Sequence, residues 1–367
     1  MTMFERTSYV PKPGKFDAVL TLRRKACDVR RALGLRAGEI FVEYPEADGD
    51  RDPEQRVIHW TCQFAGEAER TADLERRRES PHFREVRAEM QTLITDFNRA
   101  VIRRAEQPGT ALRDLSLENM PIVPKEIRFA SGDLELGGYL FVPPGEGPFP
   151  CMVTNHGSSI EQGTWDVSRP GTAAILMSWG VATFLPHRRG YGNSPGTPWR
   201  DDVSADYGTK EYDAQLAKRL SDESDDVIAA LSCVESLAEI DTSHIGVMGS
   251  SFGGTVTLLA ASRCQRFRCA VEFAGAAMNW DKTPGLRKLM LGAAQELSQP
   301  TFFVQAENDF SVRPTLELAA SLEGTGKTIQ HRVYPAFGST NYEGHLLFSR
   351  GAMIWGDDVR DFLELHL

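Results

Sequence analysis

The C-terminal two-thirds of this chain predicts an α/β fold, a mostly parallel sheet doubly wound by helices on both faces. Three observations carry the prediction. Apolar runs of strand length at 149–155, 181–186, 245–248 and 300–306 alternate with helical stretches. A Gly-x-Ser-x-Gly pentapeptide at 249–253 joins one of those runs to an apolar helix. The first hundred or so residues follow a different rhythm and predict a separate α+β domain.

In that N-terminal region Phe4 to Val10 reads as a strand, broken by Pro13-Gly14. Residues 15–34 form an amphipathic helix with Phe16, Val19, Leu20, Ala26, Val29 and Leu33 on one face, and Gly34 stops it. Glu39 to Tyr44 is a second strand, and 46–53 a polar turn. Arg56 to Phe64 alternates cleanly, with Ile58, Trp60, Cys62 and Phe64 on one side. Ser80-Pro81 opens a long helix, serine capping and proline in the first turn. Its expected stripe is Phe83, Val86, Met90, Leu93, Ile94, Phe97 and Val101, with a weaker strand after it at 112–117. The order β-α-β-β-α-(β) is the ferredoxin-like plan. Residues 1–110 are therefore one domain, 111–124 a turn-rich linker and 125–367 a second domain.

The second domain opens with short strands at 125–130 and 134–142. A Pro/Gly-rich turn leads into the strand 149–155, and a central strand follows at 181–186. The segment His187 to Tyr207 shows no regular pattern and is expected to line the mouth of a site.

Ile245-Gly246-Val247-Met248 runs into Gly249-Ser250-Ser251-Phe252-Gly253 and then into an apolar helix. Strand, sharp turn and helix with a central serine force Ser251 into a strained backbone and lift its hydroxyl off the sheet. A serine hydroxyl is a weak nucleophile until a base takes its proton, so the chain must supply a histidine and a carboxylate. In a strand–turn–helix setting these follow the serine, acid first. Asp309 sits just past the strand 300–306, and His345 is delivered by the loop 335–344 after the strand 329–334. Among eight histidines only His345 combines this order with a loop setting. Glu307 on the same loop and Asp281 after the strand 269–274 are the competing acids.

An oxyanion needs two backbone donors. One is the N–H of Phe252 at the start of the nucleophile helix. The other is the N–H of Ser158, after His156-Gly157 at the end of the strand 149–155. His156 shapes that loop. Trp165, Tyr191, Trp199, Trp280 and Phe337 fall near the catalytic segments and suit an aromatic or apolar acyl group, with His156 also a candidate contact. Arg188 and Arg189 either pair with a substrate carboxylate or hold their own loop by a salt bridge.

The chain has 367 residues, enough for two cores, and 41% apolar residues. The net charge of −10 argues against a nucleic-acid partner. Residues 1–110 carry 20 basic against 19 acidic side chains, so the acidity belongs to the second domain. Six scattered cysteines without a CxxC pair point to reduced thiols and a cytoplasmic setting. The N-terminus lacks the apolar core of a signal peptide, and no uninterrupted apolar stretch approaches the ~20 residues of a membrane span. No metal signature of the HExxH type and no phosphate-binding loop is present, so no cofactor or metal is expected.

From about residue 121 the chain resembles the α/β-hydrolases, most of all the dienelactone hydrolase-like branch and the catalytic domains of prolyl-oligopeptidase-type enzymes. The matching stretches are Asn155-His156-Gly157-Ser158, Arg188 to Ser194, 249–253, 307–312 and Gly344-His345. One position departs: Ala306 begins the acid loop where glycine is common. The N-terminal order resembles the dimeric α/β-barrel domains of the NIPSNAP type, which implies a homodimer formed through residues 1–110. The resemblance implies a Ser251-Asp309-His345 hydrolase acting on a small-molecule ester, thioester or lactone. The alternatives are a prolyl-oligopeptidase-like peptidase or amidase and a non-catalytic dimeric binding protein. A small-molecule site in the N-terminal domain using His59 or His82 is a further one.

Overall fold

The computed structural model describes residues 3–43, 56–64, 67–102, 112–164 and 170–367. The chain divides into two compact units at residues 109 and 110. The polar turn expected at 46–53 lies outside the described residues.

Unit 1 runs β1 (Met3–Pro11), α1 (Phe16–Ala32), β2 (Glu39–Glu43), β3 (Val57–Phe64), α2 (Glu67–Glu79), α3 (Pro81–Leu93) and β4 (Ile94–Ile102). Its strands form an antiparallel sheet in the order β2-β3-β1-β4. Ile58, Trp60, Cys62 and Phe64 all point into the core, as their alternation predicts, and meet Val19, Leu22, Ala26, Val86 and Met90 from α1 and α3. Ser80 caps α3, its Oγ accepting from the Phe83 N–H at 3.2 Å.

The structure overturns two sequence expectations and adds one helix. The long helix does not continue to Val101: it ends at Leu93, and Ile94 turns extended at φ −113°, ψ 153°. The β-branched and aromatic residues Ile94, Thr95, Phe97 and Val101 fit a strand as well as a helical stripe, and the open edge of β1 decides between them. Glu5 pairs with Val101 and Tyr9 with Phe97 across that edge. Second, α2 falls where no apolar pattern predicts an element. It buries charged side chains instead: Asp73 holds Arg30 at 2.5 Å and Arg77 at 2.6 Å. Third, the described residues 112–117 form no strand; Arg113 and Leu115 donate their N–H groups to the Trp179 and Ser178 carbonyls of unit 2.

Unit 2 begins with β5 (Lys125–Ser131), β6 (Leu134–Phe141), β7 (Phe149–Asn155), α4 (Pro170–Ser178), β8 (Ala182–Pro186), α5 (Trp199–Asp202) and α6 (Lys210–Glu235). It continues with β9 (Ile240–Ser250), α7 (Phe252–Arg263), β10 (Ala270–Phe273), α8 (Pro284–Glu296), β11 (Thr301–Ala306), α9 (Arg313–Ser321) and β12 (Ile329–Tyr334). The short α10 (Asn341–His345) and α11 (Leu347–Arg350) lead into α12 (Ala352–His366). Among the described residues the sheet has the order β12-β11-β10-β9-β7-β8-β6-β5. From β8 to β12 all neighbours are parallel, while β5 and β6 close one edge antiparallel.

Both faces are covered. On one, Leu231 and Val234 of α6 and Val256 and Leu259 of α7 pack on Val153, Phe184 and Val247 of the sheet. On the other, Trp355, Val359 and Phe362 of α12 pack on Met248, Val271 and Phe302. Burial on both faces leaves β7 buried throughout and apolar from Phe149 to Val153 rather than alternating. The chain leaves β7 for β8 on one side and returns as β9 on the other. In such sheets the crevice beyond the carboxyl ends at this reversal is where ligands bind.

Candidate active site

Ser251 stands at that reversal, between the end of β9 and the first turn of α7, with φ 61° and ψ −125°. A positive φ costs a non-glycine residue of order 1–3 kcal/mol and persists only where the surroundings dictate it. Here the Ser251 N–H donates to the Phe273 carbonyl of β10 at 2.9 Å, and its carbonyl accepts from Thr255 at 3.0 Å. The two glycines of the motif have a steric cause. A Cβ on Gly249 would lie 2.4 Å from the Gly253 carbonyl oxygen, and one on Gly253 2.2 Å from that of Asn155.

Asp309 follows β11, which is separated from β9 only by β10. The serine and the acid therefore arise about two strand spacings apart, roughly 10 Å. Asp309 is buried, and its carboxylate is held from two directions. Oδ1 accepts from the Phe310 N–H at 2.6 Å, and Oδ2 from Gln305 Nε2 at 3.1 Å. Both oxygens face His345 Nδ1, at 2.9 and 3.1 Å. His345 Nε2 is buried and makes no hydrogen bond among the described residues.

The histidine is positioned by α10, whose start is a capping box between Thr340 and Glu343. Asn308 ties the acid loop to this segment: it accepts from the Phe337 N–H and donates to the Phe337 and Thr340 carbonyls. Gly344 passes so close that a Cβ would lie 2.6 Å from Asn308 Oδ1. Asn308 and Gln305 escape a search for proton-transfer residues because their amides do not titrate and only hydrogen-bond to the residues around them. The competing acids are placed elsewhere. Glu307 is exposed, and Asp281 is half-exposed and paired with Arg313.

Phe252 opens α7, so its N–H precedes the first intrahelical hydrogen bond. Ser158 lies beyond the carboxyl end of the adjacent β7. Trp199 joins the two: its indole N–H donates to the Ser158 carbonyl at 3.2 Å, and its ring packs edge-to-face on Phe252 at 5.1 Å.

The segment 187–207 is buried at its start and mostly exposed from residue 195 on. His187, Arg188 and Tyr191 have no exposed surface, and α5 interrupts the segment. Arg188 Nε donates to Glu223 at 2.6 Å and Nη2 to the His156 carbonyl at 2.8 Å. Arg219 Nε and the Tyr191 hydroxyl share the other Glu223 oxygen. Arg189 is held twice by Asp226. Arg188, Tyr191 and the fully buried His156 are therefore held within the fold, Arg188 in the salt-bridge arrangement. Trp280 is buried against Glu317, and Trp165 lies outside the described residues.

One carboxyl beside the site carries no sequence signal. Glu272 is wholly buried on β10, between the strands that deliver the serine and the acid. Loss of solvent pushes its pKa up to about 8, against the opposing Gly275 N–H and with a further contribution from the Asp309 charge.

Comparison with known proteins agrees with this architecture. Residues 165–295 match the model of the prolyl oligopeptidase family. The quorum-quenching protein AidA of Acinetobacter baumannii is 28% identical over 43% of this chain and 45% of its own length. A putative carboxymethylenebutenolidase of Methylorubrum extorquens is 23% identical over 67% of this chain and 80% of its own. The acylaminoacyl peptidase of Pyrococcus horikoshii superposes with a TM-score of 0.52 at 19% identity, covering 67% of this chain and 42% of the peptidase. The chain thus spans less than half the length of AidA and of the peptidase. Among the described residues no helix is long and apolar enough to cross a membrane. Unit 2 has an α/β-hydrolase-like fold, and the chain is similar to hydrolases of the prolyl oligopeptidase and carboxymethylenebutenolidase kinds.

Proposed function

We propose that the chain is a serine hydrolase that cleaves a carboxylic ester, thioester or lactone through an acyl-enzyme on Ser251. The observation that carries this reading is the buried His345, with Nδ1 committed to Asp309 and Nε2 left for a proton. In the proposed cycle His345 Nε2 takes the Ser251 proton as the alkoxide attacks the carbonyl. Asp309 fixes the tautomer and stabilises the imidazolium, while the N–H groups of Phe252 and Ser158 receive the oxyanion. His345 then protonates the leaving group, and water repeats the sequence to release the acid. Side chains reaching from two strand ends roughly 10 Å apart can meet through one imidazole.

The match to the prolyl oligopeptidase family favours a second reading, a peptidase or amidase using the same residues. A panel of p-nitrophenyl esters, lactones and aminoacyl amides separates the two, and the expected result is turnover of esters or lactones well above amides. An organophosphonate should label wild-type protein at Ser251. Ser251→Ala should fold normally and lose at least ~1,000-fold of its turnover. Unlabelled protein, or a fully active alanine variant, ends the proposal.

A further inference from the structure

Unit 1 contains a cavity of about 150 Å³ between α1, α3 and the sheet. Trp60, Phe83, Val86, Met90, Ile94 and Phe97 supply its apolar lining. An apolar cavity of that order accepts a benzene-sized molecule. Arg23 also lines it, and only 4% of Arg23 is exposed. Buried guanidinium groups normally face a carboxylate. Among the described residues Arg23 faces none. Its Nη1 donates to the Tyr9 hydroxyl at 3.1 Å and its Nη2 to the Cys27 sulfur at 3.6 Å, a weak acceptor. Its Nε makes no hydrogen bond. The Trp60 face, 4.7 Å from the guanidinium carbon, holds the group in place without neutralising it.

The neighbouring charges strengthen the contrast. Glu5 and Asp73, the buried carboxylates of this unit, are already engaged by Arg70, Arg77 and Arg99 and by Arg30 and Arg77. Among the described residues no acidic side chain lines the cavity, whereas Arg77, Arg87 and Arg99 do. Neither His59 nor His82 belongs to it: His59 is paired with Ser8 and Glu43, and His82 is largely exposed.

We propose that unit 1 binds a small monocarboxylate with a ring-sized apolar body. The carboxylate sits on the Arg23 fork, where a planar guanidinium matches it through two parallel N–H donors. The body lies against Trp60, Val86 and Met90. A dianion such as phosphate fits less well, because the lining arginines Arg77 and Arg99 are already engaged by Glu5 and Asp73, which leaves Arg23 as the buried guanidinium facing the cavity without a carboxylate. The site belongs to unit 1 and does not depend on the reading of Ser251.

Calorimetric titration of the full-length protein with sodium benzoate tests this, with benzamide as the neutral isostere. The expected result is saturable one-to-one binding of benzoate, about tenfold or more tighter than benzamide, reflecting a charge-assisted pair. Arg23→Met should weaken benzoate at least about tenfold. So should Ala26→Leu, which fills the cavity and keeps the arginine; Ser251→Ala should bind as wild type. Absence of saturable binding in the millimolar range overturns the proposal. So does equal affinity for benzoate and benzamide, or binding that survives both cavity variants. If Arg23→Met fails to fold, Ala26→Leu and the benzamide comparison still decide.

Discussion

Two buried arginines, one in each unit, are held in opposite ways. In unit 2, Arg188 has no exposed surface and its charge closes on Glu223, which also holds Arg219 and Tyr191. In unit 1, Arg23 is nearly as deep, yet it is held by an aromatic face, a phenol and a thiol. A closed circuit of charge makes a rigid support. It fixes Arg188, Arg189 and Tyr191 against α6. An open one leaves electrostatic demand for an outside anion. Depth alone does not distinguish a scaffold from a site; the identity of the counter-charge does.

The sharpest way to break this contrast is to remove the counter-charge. Glu223→Gln strands Arg188 beside a neutral partner, and breaking such a buried pair costs about 3–5 kcal/mol. Urea unfolding should show that loss. Arg23→Met removes a charge that has no carboxylate to strand, so its unfolding free energy should stay within about 1 kcal/mol of wild type. Equal losses in the two variants would mean that Arg23 is structural and the comparison is wrong.

Glu272 supplies a second, smaller test, because it too is buried without an ion-pair partner. Below pH about 4.5 its carboxyl is protonated in both the folded and the unfolded chain. Between there and about 8 the folded chain keeps a proton that the unfolded chain has released. The folded state then binds more protons, so stability falls as pH rises through this window and levels off above it. The slope is at most ~1.4 kcal/mol per pH unit. Glu272→Gln should remove that fall in unfolding curves taken from pH 5.5 to 8.5. An unchanged slope would place the titration elsewhere.

The smallest expected effect concerns Trp199. Trp199→Phe keeps a ring against Phe252 but loses the N–H donated to the Ser158 carbonyl. One such hydrogen bond is worth ~1 kcal/mol, so kcat for the best ester should fall about fivefold with KM little changed. A change confined to KM would make Trp199 a substrate contact, as the sequence by itself suggests.

Much of the candidate site is legible in one dimension because its requirements are local. The glycine at 249 answers to a clash within the turn and the one at 253 to the end of β7 beside it, while the order of serine, acid and histidine follows from successive strands of one parallel sheet. What stays hidden depends on partners far along the chain. Arg188 meets Glu223 across 35 residues, and Trp199 meets Ser158 across 41. Nothing in either local sequence separates a loop brace from a substrate contact. Helix α2 is invisible for a related reason: it buries Asp73 and Arg77 where a hydrophobic stripe would otherwise announce it.

The sequence by itself determined where the strained turn at Ser251 lies, which residues form the apolar strands of unit 2 and that the chain carries two cores. These follow from short-range sterics and from the periodicity of apolar side chains, which any compact state must satisfy. Only the tertiary structure decided that Ile94 to Val101 extend rather than coil, because the open edge of β1 offered backbone partners that no helix could use. Only it revealed the cavity at Arg23, since whether a buried charge is answered depends on what the fold brings within a few ångströms. Residue order does not encode that distance.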